Sequence, residues 1–290
     1  MGRREALWGA GPTAVGLVVG VAEGWAVEGT QGKAPGAASG RTLRVGAPGR
    51  ATSPPGGVEG GGGGAALLYG SIAEALAAAR DGDLVLLEGG ATYSERVVLD
   101  KAVTLRGAGA ESTVVSHATS APYEATVTLA ASGARLEGIQ VLHASKSVAG
   151  NYACYVADGC DVAIEDCVVS SRTGGGVGSE GGSPEIRETR IRDCKNNGIF
   201  LTSDLGETRG GGRVTHCVVS GCGLDGIALR RTFGAAISDT RVSDARGFGV
   251  SVRFCDADTR VDQATVACEA CSKGAFVYED ASGTSAKPFV

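Results

Sequence analysis

Apolar residues recur along the chain in two short motifs that alternate at a period near 25 residues. The first motif places two apolar residues five positions apart, and its copies start 22 to 28 residues after one another. It occurs at Leu136/Val141, Ile164/Val169, Ile186/Ile191, Val214/Val219, Ile237/Val242 and Val261/Val266. The second motif reads small, apolar, any, apolar, and it begins at Ala153, Gly198, Gly226, Gly249 and Gly274. Such short alternating runs predict strands and are too short for helices.

Three short strands per repeat cannot bury a face alone, so the pattern predicts that the repeats stack. Each strand then pairs with its equivalent in the next coil at about 4.8 Å. We expect Ile199, Ile227 and Val250 to share one interior row. The fold class predicted is all-β, a parallel β-helix of about eight coils. Several of the nine cysteines fall at equivalent repeat positions, which indicates buried thiols acting as small apolar residues.

Residues 70–109 break the repeat and predict a cap for the first coil. Ser71 and Glu74 form a capping-box pattern, and an apolar stripe follows over 72–79. An amphipathic helix laid across the end of the solenoid would keep the interior of its first coil from water.

This entry segment resembles the pectin-lyase-like superfamily. The resemblance is carried by Ser71–Leu76, Asp81–Asp83, Tyr93–Glu95 and Leu99–Gly107, and by the later coils, over roughly residues 67–278. It implies a right-handed β-helix whose first parallel sheet forms the ligand groove. The superfamily includes polysaccharide lyases, pectin esterases, polygalacturonases, epimerases and non-catalytic members. The cysteine-bearing short coils look closest to the non-catalytic β-helix domain of F-box-associated (CASH-type) proteins, although residues 1–66 contain no recognisable F-box.

The domain organisation predicted is a low-complexity leader or linker over residues 1–66 and a β-helix domain over residues 67–290. Within the first segment, Thr42–Val45 alternates like a single isolated strand. The first 26 residues faintly resemble a leader that would direct the chain to secretion or to an organelle. The odd number of cysteines favours a reducing compartment such as the cytoplasm.

Charge and composition argue against several classes of binding partner. Residues 1–64 carry six basic and four acidic side chains, which leaves 21 basic and 28 acidic ones in the other 226 residues. An acidic body argues against nucleic-acid binding, and no apolar run is long enough to span a membrane. The pair Cys268/Cys271 lacks a second pair at zinc-finger spacing, so no metal site is predicted.

The strands of the second motif are expected to line the groove. Their outward positions predict a ligand-binding set. Arg230 and Arg253 are expected on adjacent coils with Arg231 beside them, and the aromatic residues of the set are Phe200, Tyr155, Phe276 and Tyr278. Arginine forks and aromatic faces suit a carboxylate-bearing chain, either an acidic polysaccharide or an acidic protein segment. The charged residues Asp166, Glu188, His216 and Asp239 are interpreted as a second outward strand face that pairs with Arg190 and Arg241.

The function predicted from these residues is a non-catalytic recognition scaffold, with a substrate-recognition role in a ubiquitin-type system as one form of it. The alternative is a carbohydrate-active enzyme: a polysaccharide lyase, an esterase or a hydrolase. In that alternative Glu180 and Asp204 are the candidate catalytic carboxylates, and calcium is a cofactor only for a lyase. The last coil is expected to be open, which allows end-to-end self-association.

Overall fold

The fold is a β-solenoid of three parallel sheets, each built from one strand per coil. A computed structural model of the chain describes residues 40–49, 67–204 and 206–280. Every strand pairing in the described residues is parallel, and hydrogen-bonded neighbours come from successive coils. The leader predicted over residues 1–26 and the glycine-rich segment 56–64 lie outside the described residues.

Sheet A has ten strands in the order β2-β1-β3-β6-β9-β12-β15-β18-β21-β24. They are β1 (Thr42–Val45), β2 (Leu67–Tyr69), β3 (Leu84–Leu87), β6 (Thr104–Arg106), β9 (Arg135–Glu137), β12 (Asp161–Glu165), β15 (Ser183–Arg187), β18 (Arg213–Thr215), β21 (Ala236–Ser238) and β24 (Arg260–Val261). The strand predicted at Thr42–Val45 is therefore present but not isolated. It pairs with both β2 and β3 and buries Leu43 and Val45, so the boundary predicted at residue 66 is wrong for this strand.

Sheets B and C have eight strands each, in chain order across the sheet. Sheet B contains β4 (Ala91–Tyr93), β7 (Thr113–Thr119), β10 (Gln140–Ser145), β13 (Val168–Ser171), β16 (Arg190–Arg192), β19 (Val218–Ser220), β22 (Arg241–Ser243) and β25 (Ala267–Glu269). Sheet C contains β5 (Val97–Leu99), β8 (Val127–Leu129), β11 (Tyr152–Val156), β14 (Gly175–Glu180), β17 (Ile199–Thr202), β20 (Ile227–Arg230), β23 (Phe248–Arg253) and β26 (Gly274–Glu279). The predicted solenoid of about eight coils is confirmed.

The core is a set of apolar rows that run along the solenoid axis. Ile199 pairs with Ile227, and Ile227 pairs with Val250, and all three are fully buried. The predicted interior row is thus confirmed. Burying a side chain of this size removes apolar surface that is worth about 1.5–3 kcal/mol to folding.

Two strands of sheet C, β17 and β20, are each preceded by a glycine that has no room for a side chain. A Cβ on Gly198 would lie 2.5 Å from Val219 Cγ1, and a Cβ on Gly226 would lie 2.2 Å from Val242 Cγ1. Val219 and Val242 point inward from sheet B. The small residue of the second motif therefore marks the place where sheets B and C approach each other.

In four coils, the turn from sheet A to sheet B contains one non-glycine residue with a positive φ. Asp166, Glu188, His216 and Asp239 occupy this position, with φ of 48°, 52°, 53° and 48°. Their interpretation as outward strand residues is wrong. The left-handed conformation, which Asp and His tolerate better than most residues, puts them at a bend instead.

The last coil departs from the predicted alignment. Val242 pairs with Cys268 rather than with Val266, because an extra turn at 262–265 lengthens this coil. In sheet C, Phe276 pairs with Val250 and Tyr278 pairs with Val252, and both partners belong to interior rows. A shift of one residue moves a strand's side chains to the opposite face, so the outward orientation predicted for Phe276 and Tyr278 is wrong.

One short helix, α1 (Ile72–Ala78), lies at the first coil as predicted. The Ser71 hydroxyl accepts a hydrogen bond from the Glu74 backbone N–H at 3.2 Å, and Ile72 is fully buried. The Glu74 carboxylate accepts from the Gly70 N–H, one residue before the N-cap. Packing of the buried face of α1 against the first coil fits the capping role expected from the sequence.

The cysteines are free thiols, and most of them are buried. Cys154, Cys160, Cys167, Cys194, Cys217 and Cys222 are buried, whereas Cys255, Cys268 and Cys271 are partly exposed. Burial raises the pKa of Cys194 and of Cys222 to about 12. These thiols therefore stay protonated near neutral pH, consistent with a packing role.

Candidate functional site

The outer face of sheet C presents two rows of side chains. One row comprises Tyr155, Gly178, Phe200, Ala228, Ser251 and Val277, and the other comprises Glu180, Thr202, Arg230, Arg253 and Glu279. The adjacency predicted for Arg230 and Arg253 is present, because the two residues are direct partners across β20 and β23. Glu279 occupies the place that the sequence assigned to Tyr278.

Asp204 lies just after β17 and is held by two arginines. Its Oδ2 lies 2.6 Å from Nε of Arg230, and its Oδ1 lies 2.9 Å from Nη1 of Arg231. Only 15% of the Asp204 side chain is exposed, whereas both arginines are about half exposed. The Oδ1 contact has the distance of an ion pair but not the angle of a hydrogen bond. One oxygen of this largely buried carboxylate is thus held by an ion pair alone.

Asp225 lies just before β20 and forms a second, denser cluster. Its Oδ1 accepts a hydrogen bond from the Phe248 backbone N–H at 2.8 Å. Its Oδ2 accepts from the buried Ser251 hydroxyl at 2.7 Å and lies 3.4 Å from Nη1 of Arg253. The Asp225 side chain is 14% exposed. Hydrogen bonds to both oxygens fix the direction of this carboxylate.

The arginines of the site are already paired with carboxylates. Arg253 lies between Asp225 and Glu279, with its Nε 3.2 Å from Glu279 Oε2. Arg230 and Arg231 share Asp204. The predicted cationic groove is therefore a mixed cluster in which positive and negative groups balance, and its carboxylates are as prominent as its arginines.

A depression of about 440 Å³ lies over this cluster. Its lining includes Phe200, Leu224, Asp225, Arg230, Arg253 and Lys273. The ring of Phe254 also borders it, and the Arg231 guanidinium lies 5.9 Å from the centre of that ring. Apolar rings beside a few converging polar groups are typical of a small-ligand site.

Two tyrosines of β11 lie nearer the first coil than the arginine cluster does. The rings of Tyr152 and Tyr155 stack with their centres 6.1 Å apart. Burial, with a smaller contribution from the nearby Glu180 carboxylate, raises the pKa of both phenols to about 12. The structure thus places Glu180 beside tyrosines and Asp204 beside arginines, and Glu180 pairs with Thr202, two residues before Asp204, across β14 and β17. A joint catalytic role for Glu180 and Asp204 stays a prediction.

Sequence reasoning missed Asp225. A signal was available in the repeat itself, because the same repeat position holds Tyr152, Gly175, Asn197 and Phe248 in four other coils, and three of these four residues are large or polar. A row that carries large or polar side chains on the outer face is not a simple turn.

Neither a metal site nor a membrane span is found where the structure describes the chain. No cluster of three or more histidine, cysteine, aspartate or glutamate side chains could hold a metal ion among residues 40–49, 67–204 and 206–280. Within those residues no helix has the length and apolar character to cross a bilayer.

The chain belongs to the right-handed beta helix family, whose model, described as the right handed beta helix region, matches residues 127–287. The superfamily resemblance is therefore confirmed at the level of the fold, while its finer form, the F-box-associated subtype, is not. No curated protein matches the sequence.

Solved structures similar to this chain include two pectin methylesterases. The enzyme from Yersinia enterocolitica shares 16% identity over 64% of this chain and 71% of its own, with a TM-score of 0.46. The enzyme from carrot shares 16% identity over 81% of this chain and 83% of its own, also with a TM-score of 0.46. An alginate lyase from Paenibacillus sp. str. FPU-7 shares 15% identity over 71% of this chain and 93% of its own, with a TM-score of 0.32.

These neighbours correct the predicted function. The sequence favoured a non-catalytic recognition scaffold with a role in a ubiquitin-type system, whereas the similar structures are pectin methylesterases and a lyase.

Proposed function

We propose that this protein is a carbohydrate-active enzyme whose site is the Asp204–Asp225 cluster on the outer face of sheet C. One observation carries the proposal: two largely buried aspartates meet three arginines beside an open depression. Burying carboxylates at a surface is costly unless cations and hydrogen-bond donors compensate them. Here Asp225 and its partner Arg253 line the depression, together with Arg230, the partner of Asp204.

The roles follow from the contacts of each side chain. Asp225 is fixed by the Ser251 hydroxyl and a backbone N–H, so it is the better general base. In hydrolysis it accepts a proton from the attacking water, and in β-elimination it accepts one from the sugar carbon next to the carboxyl group. Asp225 then returns that proton to the leaving oxygen. Asp204, which is paired with Arg230 and Arg231, is a positioning group that holds these two guanidinium groups in place.

The substrate class is argued from the remaining groups of the site. Arg230 and Arg253 lie on adjacent coils at the edge of the depression. Their guanidinium N–H groups that do not face Asp204, Asp225 or Glu279 can hold a sugar carboxylate or its ester. The Phe200 ring beside them offers an apolar face for the C–H side of a sugar ring. An acidic polysaccharide, esterified or free, satisfies both features.

The test is turnover of methyl-esterified pectin, polygalacturonate and alginate by the purified protein. Released methanol, new reducing ends and new unsaturated ends report ester hydrolysis, glycoside hydrolysis and elimination respectively. We expect one of these products from the wild type, and a loss of roughly 100-fold or more in rate for Asp225→Asn and for Asp204→Asn.

Asp239→Asn is the matched control, because Asp239 is an exposed turn residue between sheets A and B. It makes the same chemical change away from the cluster and should keep the wild-type rate. Absence of product from all three substrates, or wild-type rates in both cluster variants, would overturn the proposal.

A further inference from the structure

A row of basic side chains follows the turn between sheets B and C. Backbone hydrogen bonds place Arg172, Lys195, Gly223 and Arg246 at equivalent positions of four successive coils. The N–H of Lys195 donates to the Ser171 carbonyl at 3.0 Å, that of Gly223 to Cys194 at 2.8 Å, and that of Arg246 to Cys222 at 2.9 Å. Three of the four positions therefore carry a cation on one edge of the solenoid.

These cations differ from the arginines of the catalytic cluster. Arg172, Lys195 and Arg246 are exposed, and none of them forms an ion pair with another residue of the described chain. Arg230, Arg231 and Arg253 are all paired. The charges of the edge row are thus free to meet an external anion.

Gly223 lines a cleft in the row and has no room for a side chain of its own. A Cβ there would lie 2.0 Å from the Lys195 carbonyl oxygen, so the position cannot hold a larger residue without movement of the backbone. The cleft has a volume of about 560 Å³, and the backbone around Cys194 and Cys222 contributes to its lining. Asp193 and Asp244 also line it, which confines a bound anion to the side of the three cations.

The cleft adjoins the proposed catalytic depression. Leu224, whose side chain is half exposed, lines both spaces. A chain seated over Asp225 therefore reaches the basic cleft by passing over one apolar side chain.

We propose that this basic cleft is an accessory binding site for the carboxylates of non-reacting units of the same acidic polysaccharide. The proposal takes its ligand class from the proposed function. Arg172 and Arg246 can each form paired hydrogen bonds to a carboxylate, and Lys195 adds a point charge between them. Chains long enough to extend past Leu224 then bind more tightly than short ones.

The test measures binding of a long oligogalacturonate in the Asp225→Asn background, which prevents turnover. The double variant Lys195→Gln/Arg246→Gln is compared with Arg213→Gln/Arg241→Gln. The control removes the same total charge from exposed, unpaired positions in sheets A and B of the described solenoid. We expect Kd to rise roughly tenfold in the cleft variant, with the control unchanged at about 0.15 M salt.

Equal affinity of the two double variants, or no binding of the oligogalacturonate by the Asp225→Asn protein, would overturn the accessory site. Tighter binding of polyglutamate than of the oligogalacturonate would overturn it in favour of an acidic peptide. The proposed function fails separately, through absence of turnover by the wild type, and binding lost only in the cleft variant would still establish the site.

Discussion

Small side chains at a single repeat position set how closely sheets B and C can approach. At Gly226 the space that a Cβ would need is already filled by Val242 Cγ1 and, at 2.7 Å, by the Gly249 carbonyl oxygen. Protein interiors have little free volume, so such a position resists even one added carbon.

Gly226→Ala should therefore lower the free energy of unfolding by about 1–3 kcal/mol. Urea denaturation measures the loss. Gly46→Ala is the control, because a Cβ at Gly46 would meet its nearest neighbour at an ordinary 3.8 Å. Equal stability of the two variants would show that the sheets can move apart at no cost.

His143 is a buried residue that makes the fold sensitive to pH. Its Nδ1 lies 3.0 Å from the Thr126 hydroxyl, and its Nε2 lies 3.0 Å from Oδ1 of Asn151. Burial lowers the pKa of this imidazole, and His117 on the neighbouring coil lowers it further, although the Asn151 hydrogen bond acts in the opposite direction. The neutral form is therefore favoured in the folded state.

Because the folded pKa lies below the unfolded value of about 6.5, the unfolded chain binds more protons as the pH falls. The stability that neutral His143 contributes is complete above that value and declines below it. Between pH 7.5 and 5.5 we expect the wild type to lose unfolding free energy relative to His143→Gln, at no more than about 1.4 kcal/mol per pH unit.

Denaturant unfolding at several pH values gives this difference. His216→Asn, at an exposed turn, serves as the control and should follow the wild type. Parallel pH curves for the wild type and His143→Gln would contradict the assignment of the sensitivity to His143.

At the residue scale, the repeat period predicted which residues are neighbours across the strands of successive coils. It placed Arg230 beside Arg253 and Ile199 beside Ile227, as observed. It could not predict that Asp204 and Asp225 would compensate these arginines, because those contacts depend on how the turns flanking the strands fold back. Turn geometry varies from coil to coil while the strand rows do not.

Among the elements, α1 is held at both ends by side chains from the first coil. The Glu95 carboxylate accepts hydrogen bonds from the N–H groups of Ile72 and Ala73, each at 3.1 Å. The Lys101 ammonium donates to the carbonyls of Leu76 at 2.8 Å and Ala77 at 3.3 Å. Both charges match the helix dipole and satisfy groups that a helix leaves unpaired at its ends.

Glu95→Ala should reduce the free energy of unfolding by about 1 kcal/mol, since it removes this carboxylate cap from the helix N-terminus. Thermal and urea unfolding measure the change. Glu111→Ala provides the comparison, because Glu111 is 81% exposed and lies 3.4 Å from a single arginine, Arg190. If both variants unfold alike, Glu95 does not anchor the helix.

Element boundaries were predictable where the repeat kept its length. The helix at 72–78 followed from the Ser71/Glu74 pattern and its apolar stripe, which are local signals. The sequence aligned Val266 of the last coil with Val242, because Val266 is apolar and lies five positions after Val261. The turn at 262–265 lengthens this coil, so Cys268 is the actual partner of Val242. Apolar spacing alone does not reveal such an insertion.

In the whole molecule, the interior of the solenoid is filled by packed side chains, so groups that can bind a ligand lie on its outer faces. The inner rows are aliphatic over most coils, so a substrate can be held only where turns and outward rows gather polar groups. The depression beside Asp225 and the basic cleft share Leu224, so the two proposed sites lie next to each other on the solenoid. Self-association through the last coil stays a prediction.

The most direct test of this account is a crystal structure of Asp225→Asn soaked with an oligogalacturonate. We predict a sugar ring against Phe200, with its carboxyl group at Arg230 and Arg253 and its chain directed toward Leu224. An oligosaccharide bound on sheet A or on the outer face of sheet B, with the depression over residue 225 empty, would contradict it.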